Sequence, residues 1–209
     1  MRTQSMGKNK KASVGFSFKI GSICAGIIPW EEGSDIFTLQ QVHSKEVYVL
    51  TEFTPKSPEA DAVITQLRGI KVGVKTADCV PVALLGQKTV GVVHAGWRGL
   101  KAGIIEETLK IFEQFEPINS LIAFVGPSAK ACCYQVGEDF KKSFIATYYR
   151  NGSLFLDTQE EAILRLKRCG VKKLVKLNVC TICHTNYPSH RRDKTKDRII
   201  TYAYIEQHI

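Results

Sequence analysis

The stretch VGVVHAGWRG, residues 90–99, decides how the chain folds. Val90, Gly91, Val92 and Val93 form an apolar, β-branched run without alternation, the pattern of a strand buried on both faces. The run stops at the imidazole of His94. Gly96 and Gly99 then bracket Trp97 and Arg98, and a helical pattern follows over residues 100–115, with Ile104, Ile105, Leu109 and Phe112 on one face. Glycines let backbone N–H groups approach a ligand, and a helix start favours an anion. The planar guanidinium of Arg98 matches phosphate or carboxylate. A tight turn with a packed Trp97 and a solvated Arg98 fits the same residues.

Outward from this stretch, strand-like runs occur at residues 14–20, 35–42, 46–50, 61–65, 70–76, 80–86, 120–126, 173–179 and 198–205. Two further helices are expected at 138–149 and 158–170, the latter capped by Thr158 with Glu161 three residues on and stopped by Gly170. TEFTPKSPEA, residues 51–60, reads as a loop. Strands outnumber helices and do not alternate with them. This favours an α+β fold, with mixed β-sheets packed in layers and helices outside, over a doubly wound sheet.

The polar, basic residues 1–12 are expected to be a disordered start, and residues 13–209 a single catalytic domain. No run is long and apolar enough for a membrane span, and residues 1–20 lack a signal peptide's apolar core. The net charge of +9 invites a nucleic-acid reading. However, Arg2, Lys8, Lys10 and Lys11 sit in the tail, and no recognition helix or basic–aromatic alternation accompanies the rest. An anionic small-molecule substrate suits the charge equally. Seven irregularly spaced cysteines without an export signal point to reduced thiols in a cytoplasmic setting.

Three apolar runs end on a potential metal ligand: FTLQQVH on His43, KTADC on Cys79 and VGVVH on His94. Converging at one sheet edge, two imidazoles and a thiolate would hold zinc and leave a fourth position open. Each residue also has a structural reading, as a hydrogen-bonded histidine or a small core cysteine, and spacing alone leaves both standing. Asp78 can orient a ligand imidazole or cap a turn. Gln41 can bind substrate or pair within the sheet. Arg191 and Arg192 suit an anion or an ion pair with Asp193. CTICH, residues 180–184, matches the haem-attachment string and also half of a zinc ribbon. With no export signal and no second C-x-x-C, Cys180 and Cys183 read as structural. The adjacent Cys132 and Cys133 read as packed and reduced.

The segments QQVHS, DAVIT, GVKTADCVPVALL, VGVVHAGWRGLKAGIIEETL, GPSAKACCYQVG and CTICHTNYPSHRRDKTKDR resemble, in order and spacing, those of the YfiH-like family, formerly labelled multicopper polyphenol oxidoreductase or laccase-domain proteins. The resemblance spans roughly residues 36–205. It implies a fold similar to cytotoxic necrotizing factor toxins and a zinc site at His43, Cys79 and His94. It also implies phosphorolysis of adenosine, inosine, guanosine and methylthioadenosine, with adenosine deaminase activity. Purine nucleosides and phosphate would be the partners. Lys130 replaces a family glycine, Gln135 an acid, and KDR at 196–198 the usual TGR.

The residues admit other readings. Cys79 and His94 could form the nucleophile and base of a cysteine hydrolase. Copper could replace zinc in a phenol oxidoreductase, although a blue-copper site wants an axial methionine and this chain has only Met1 and Met6. A basic nucleic-acid-binding module is the fourth reading. The sequence does not specify an oligomeric state.

Overall fold

The computed structural model describes residues 15–207, so the expected disordered start at 1–12 lies outside the described residues. The 90–99 stretch folds as read: a strand, β8 (Val90–Ala95), has every residue buried. Because side chains alternate along a strand, Val90 and Val92 enter one apolar cluster, and Val93 and Ala95 enter another on the opposite face. His94 falls on the Val90–Val92 side. The strand therefore delivers an imidazole at its end on the face that packs against a second sheet.

β8 lies inside a six-stranded mixed sheet ordered β13 (Lys173–Lys176), β9 (Ile122–Val125), β7 (Val80–Leu85), β8, β5 (Ala62–Thr65) and β4 (Val47–Leu50). Pro81 stands opposite His94 in the antiparallel β7–β8 pair. The facing five-stranded sheet is ordered β1 (Phe16–Ile20), β2 (Ile23–Pro29), β14 (Ile199–Ile205), β6 (Lys71–Thr76) and β3 (Ile36–Thr38). Ile27, Val72, Val74 and Ala203 from this sheet meet Val63, Ala83, Val92 and Phe124 from the other. Burying each larger aliphatic side chain stabilises the fold by about 1.5–3 kcal/mol relative to exposure. A small third sheet is ordered β10 (Gln135–Val136), β12 (Ser153–Leu156) and β11 (Thr147–Arg150).

Helices cover the outer face of the six-stranded sheet: α1 (Trp97–Ala102), α2 (Ile104–Phe112) and α3 (Thr158–Arg168) contribute Leu100, Ile104, Leu109, Phe112 and Leu166 to its second cluster. A four-residue helix, α4 (His190–Asp193), lies near the C-terminal end. This is the expected α+β layering.

Several expected elements differ. The helix foreseen at 100–115 begins at Trp97 and breaks at Gly103, whose φ of 90° takes the left-handed region. The helix expected at 138–149 is absent. A single 3₁₀ turn at Glu138–Lys142 gives way to β11. The buried Glu161 carboxylate accepts the N–H groups of Ile145 (2.8 Å) and Ala146 (3.0 Å), removing donors that a continuing helix would need. Thr147, Tyr148 and Tyr149 then suit a pleated strand. In α3 the cap is Asp157 rather than Thr158, with its carboxylate accepting Glu160 N–H at 2.9 Å. Gly170, at φ 94°, stops this helix as expected. β2 was not foreseen, because its ICAGIIP sequence mixes cysteine, glycine and proline into the apolar run.

The topology also creates a site. The parallel neighbours β3 and β6 belong to the five-stranded sheet, and from both the chain crosses into the other sheet, as β4 and β7. The crossings carry residues 39–46 and 77–79, which include His43 and Cys79. β8 ends, and β5 begins, at the same end of the stack.

Gly103→Ala places a side chain on a left-handed residue, at a cost of about 1–2 kcal/mol. The expected result is a thermal midpoint lowered by roughly 2–8 °C by calorimetry.

Candidate active site

One buried carboxylate organises this end of the molecule. Asp61, directly before β5, is 0% exposed. It accepts the N–H groups of Val42 (3.3 Å), His43 (3.0 Å) and Ser44 (2.6 Å), the Ser44 hydroxyl (2.9 Å) and His94 Nδ1 (2.7 Å). Successive amides wrapped around an anion form a nest. The nest requires a left-handed turn, and His43 supplies it at φ 61°. Burial alone would raise the Asp61 pKa. The hydrogen bonds from His94 and Ser44 prevail and hold it down at about 2.

The same carboxylate fixes the His94 tautomer. An ionised carboxylate only accepts, so Nδ1 carries a proton, and in the neutral imidazole that a metal would bind Nε2 presents its lone pair away from Asp61. The rings of His43 and His94 stand edge to face with centroids 4.8 Å apart. Cys79 enters from the β6–β7 crossing, where Asp78 at φ 87° turns the chain sharply. The ligand atoms of His43, Cys79 and His94 lie within 4.8 Å of one another. Burial opposes ionisation of the half-buried Cys79 thiol, but the facing imidazoles win and lower its pKa to about 6. In return, burial is outweighed at His94 by Cys79 and Asp61, and its pKa rises to about 9.

The donor set fits a metal on a further observation. A Cβ added at Gly96 would stand 2.9 Å from Cys79 Sγ, 3.2 Å from His43 Cδ2 and 3.7 Å from His94 Nε2. The chain thus keeps side-chain atoms out of a cradle among three good ligands. Two imidazoles and one thiolate, with a carboxylate behind one imidazole, suit a tetrahedral ion with an open position.

The tripod lies in a cavity of about 830 Å³, within the range of small-molecule sites. Lys75, Arg98, Arg191, Lys196 and Arg198 bring positive charge to its wall, and Trp30, Trp97 and Tyr134 bring aromatic faces. Several of the two kinds are stacked. The Arg98 guanidinium lies 4.4 Å from the Trp97 ring, Arg191 4.6 Å from Tyr134, and Lys75 Nζ 5.0 Å from Trp30. Part of the basic surplus is therefore concentrated in one cavity.

The other sequence candidates divide. Gln41 lines the cavity, but its amide donates to Lys75 O and accepts from Lys75 N, both at 2.8 Å, which ties the His43 loop to β6. Asp78 does not orient a ligand histidine. Its carboxylate accepts Thr181 Oγ1 and Arg191 N, each at 2.7 Å, and anchors the C-terminal segment. Arg192 pairs with Asp193 at 2.6 Å and donates to the carbonyls of Thr181, Ile182 and Tyr187. Arg191 faces the cavity. Lys130 bridges Gln159 and Asn178 instead of lining the site. Sequence reasoning missed Asp61, Trp30, Lys75 and His190. Asp61 alone left a signal, as an acid at the head of the wholly apolar run AVI.

Comparison with known proteins places the chain. A family model described as multi-copper polyphenol oxidoreductase laccase matches residues 25–206. A purine nucleoside phosphorylase of Aquifex aeolicus is 43% identical over 196 residues, 93% of this chain and 95% of that one. The purine nucleoside phosphorylase YfiH of Escherichia coli is 34% identical over 80% of this chain and 72% of its own. The fold is similar to that of Neisseria meningitidis NMB0706, with a TM-score of 0.83 at 23% identity over 92% of this chain and 99% of that one. It is also similar to that of Bacillus licheniformis YfiH, with a TM-score of 0.79 at 20% identity over 88% and 93%. No helix among the described residues is long and apolar enough to cross a membrane.

Two substitutions test the site. Asp61→Asn should weaken zinc binding about 10–100-fold in a chelator competition and destabilise the fold by about 2–4 kcal/mol in urea. Since the Asp61 pKa is depressed from 3.8 to about 2, its stabilising contribution is whole above pH ~4 and drains as pH falls toward 2. The variant should lack that acid-sensitive component. Gly96→Ala, at an extended backbone position with φ −65°, should lose zinc binding with the fold retained by circular dichroism.

Proposed function

The chain belongs to the family described as multi-copper polyphenol oxidoreductase laccase, alongside YfiH-named relatives, and from that premise we propose that it is a zinc-dependent purine nucleoside phosphorylase. Its substrates would be adenosine, inosine, guanosine and methylthioadenosine, with an accompanying adenosine deaminase activity. The observation that carries this reading is the convergence of His43, Cys79 and His94 inside a cationic, aromatic-walled cavity. The names of the relatives support the reaction class.

Bound by those three residues, zinc would supply Lewis-acid charge stabilisation at an open coordination position. The remaining work belongs to the chain. Arg98 and Arg191 hold phosphate against the nucleoside, and their forks orient an oxygen toward C1′. That oxygen bonds to C1′ as the C1′–N9 bond breaks. The purine leaves with the electron pair and takes up a proton. Trp97 and Tyr134 present apolar faces to the base, and Asp61 keeps His94 in one tautomer throughout. In the deaminase reaction, water adds at C6 of adenosine and ammonia leaves. Cys79 and the two histidines also suit copper, and metal analysis distinguishes the two ions.

One observation favours a second reading. Asp61, His94 and Cys79 stand in the order of a carboxylate, base and nucleophile, so the metal-free site could act as a cysteine hydrolase. Iodoacetamide separates the two. The phosphorylase reading expects zinc to shield Cys79, with rapid alkylation at pH 7 only after chelation, because the free thiol's pKa of about 6 leaves it mainly thiolate.

Zinc-loaded protein should release adenine or hypoxanthine from nucleosides only with phosphate present. Cys79→Ala should reduce that turnover by roughly 100-fold or more. Arg98→Ala should raise the KM for phosphate about tenfold. A loaded protein that cleaves no purine nucleoside contradicts the proposal.

A further inference from the structure

The C-x-x-C that lacked a partner in the sequence finds one in space. Cys180 and Cys183 meet the adjacent Cys132 and Cys133, and all four sulfurs lie within 4.8 Å of one another. We propose that these thiolates form a second metal site, a tetrahedral tetrathiolate zinc centre that joins two walls of the cavity from behind.

The geometry is that of one ion. Zinc–sulfur bonds of ~2.3 Å arranged tetrahedrally place sulfurs about 3.8 Å apart, and Cys132 Sγ stands 3.8 Å from Cys183 Sγ. An iron–sulfur cluster distributes its thiolates over two or more irons, which spreads them wider than this cage. Cys132 and Cys133 were expected to be packed, yet Cys132 is exposed and Cys133 half-buried; of the pair read as structural, Cys183 is exposed and Cys180 buried. All four are free thiols. Thiols of such differing burial, drawn from segments some 50 residues apart, gather without an apolar core to account for it.

The backbone fixes both pairs. Thr181 N–H donates to Ser128 O and His184 N–H to Cys180 O, each at 3.1 Å, and Cys133 N–H donates to Lys130 O at 3.0 Å. Arg192 grips the carbonyls of Thr181 and Ile182 (2.8 and 2.7 Å), and Arg150 that of Cys132 (3.0 Å). Arg150 brings positive charge beside the four thiolates, while Arg192, paired with Asp193, holds the carbonyls in place. His184 stands outside the group of four ligand atoms, and its Nδ1 engages Cys180 O at 3.1 Å. The bridge between Ser128 and Cys180 brings the two ligand pairs together.

The role follows from what the two segments carry. Cys132 and Cys133 directly precede Tyr134, while Cys180 and Cys183 lead to His190 and Arg191. All three of these downstream residues line the cavity. The second zinc is a staple that fixes a stacked Tyr134–Arg191 pair and takes no part in bond breaking.

The test is metal analysis of zinc-replete protein with a Cys132→Ser/Cys183→Ser variant beside Cys79→Ala. The wild type should hold about two zinc equivalents and each variant about one. Cobalt-substituted Cys79→Ala should show the intense charge-transfer and d–d bands of a tetrathiolate site, and in the replete wild type all four cysteines should resist alkylation. A double-serine variant with wild-type zinc content overturns the proposal. So do disulfides or freely alkylated thiols among the four in replete wild type, a measurement that holds even if the variant misfolds. Should Cys79→Ala instead keep the full zinc content while the double-serine variant loses it, the staple stands and the active-site metal falls.

Discussion

The buried Asp61 carboxylate is the constraint around which this end of the molecule is assembled. It is fully desolvated, so its charge must be compensated locally. The compensation comes from the His43 turn and from the end of β8. Satisfying one anion therefore fixes two candidate metal ligands, one on a crossing and one at the end of a strand. The left-handed conformation of His43, unfavourable by itself, persists because three successive amides converge on the same oxygens. Stability and function share a single interaction here.

The sheets supply the second requirement, which is proximity. The chain crosses from the five-stranded to the six-stranded sheet twice at one end of the stack, and each crossing carries a candidate ligand. Glycine at position 96 keeps the space between those ligands clear. The cavity beyond joins arginine to aromatic faces at Arg98–Trp97 and Arg191–Tyr134. These pairs offer an anion and a flat apolar ring neighbouring surfaces, a combination that a purine nucleoside and phosphate can use together.

The parts legible in the sequence were those governed by local pattern. Periodicity located β8 and most other strands, and apolar runs ending on His43, Cys79 and His94 pointed to the tripod. Long-range hydrogen bonding was not legible. The 138–149 pattern looks helical until the Glu161 carboxylate, 15 residues away, takes the amide of Ala146. Asp78 was the natural candidate to orient a histidine because it adjoins Cys79, yet Asp61 does so from 33 residues before His94. The cysteine quartet illustrates the same limit, since CC and C-x-x-C are each ambiguous until the Ser128–Cys180 bridge unites them.

The central claim is that Asp61 presets three side chains to share one cation. Anomalous scattering at the zinc edge from crystals of zinc-loaded protein tests it most directly. The predicted result is a peak bonded to Cys79 Sγ, a His43 nitrogen and His94 Nε2, with His94 Nδ1 still on Asp61. An ion bound elsewhere in this cavity, or none between these three side chains at full loading, would contradict the account.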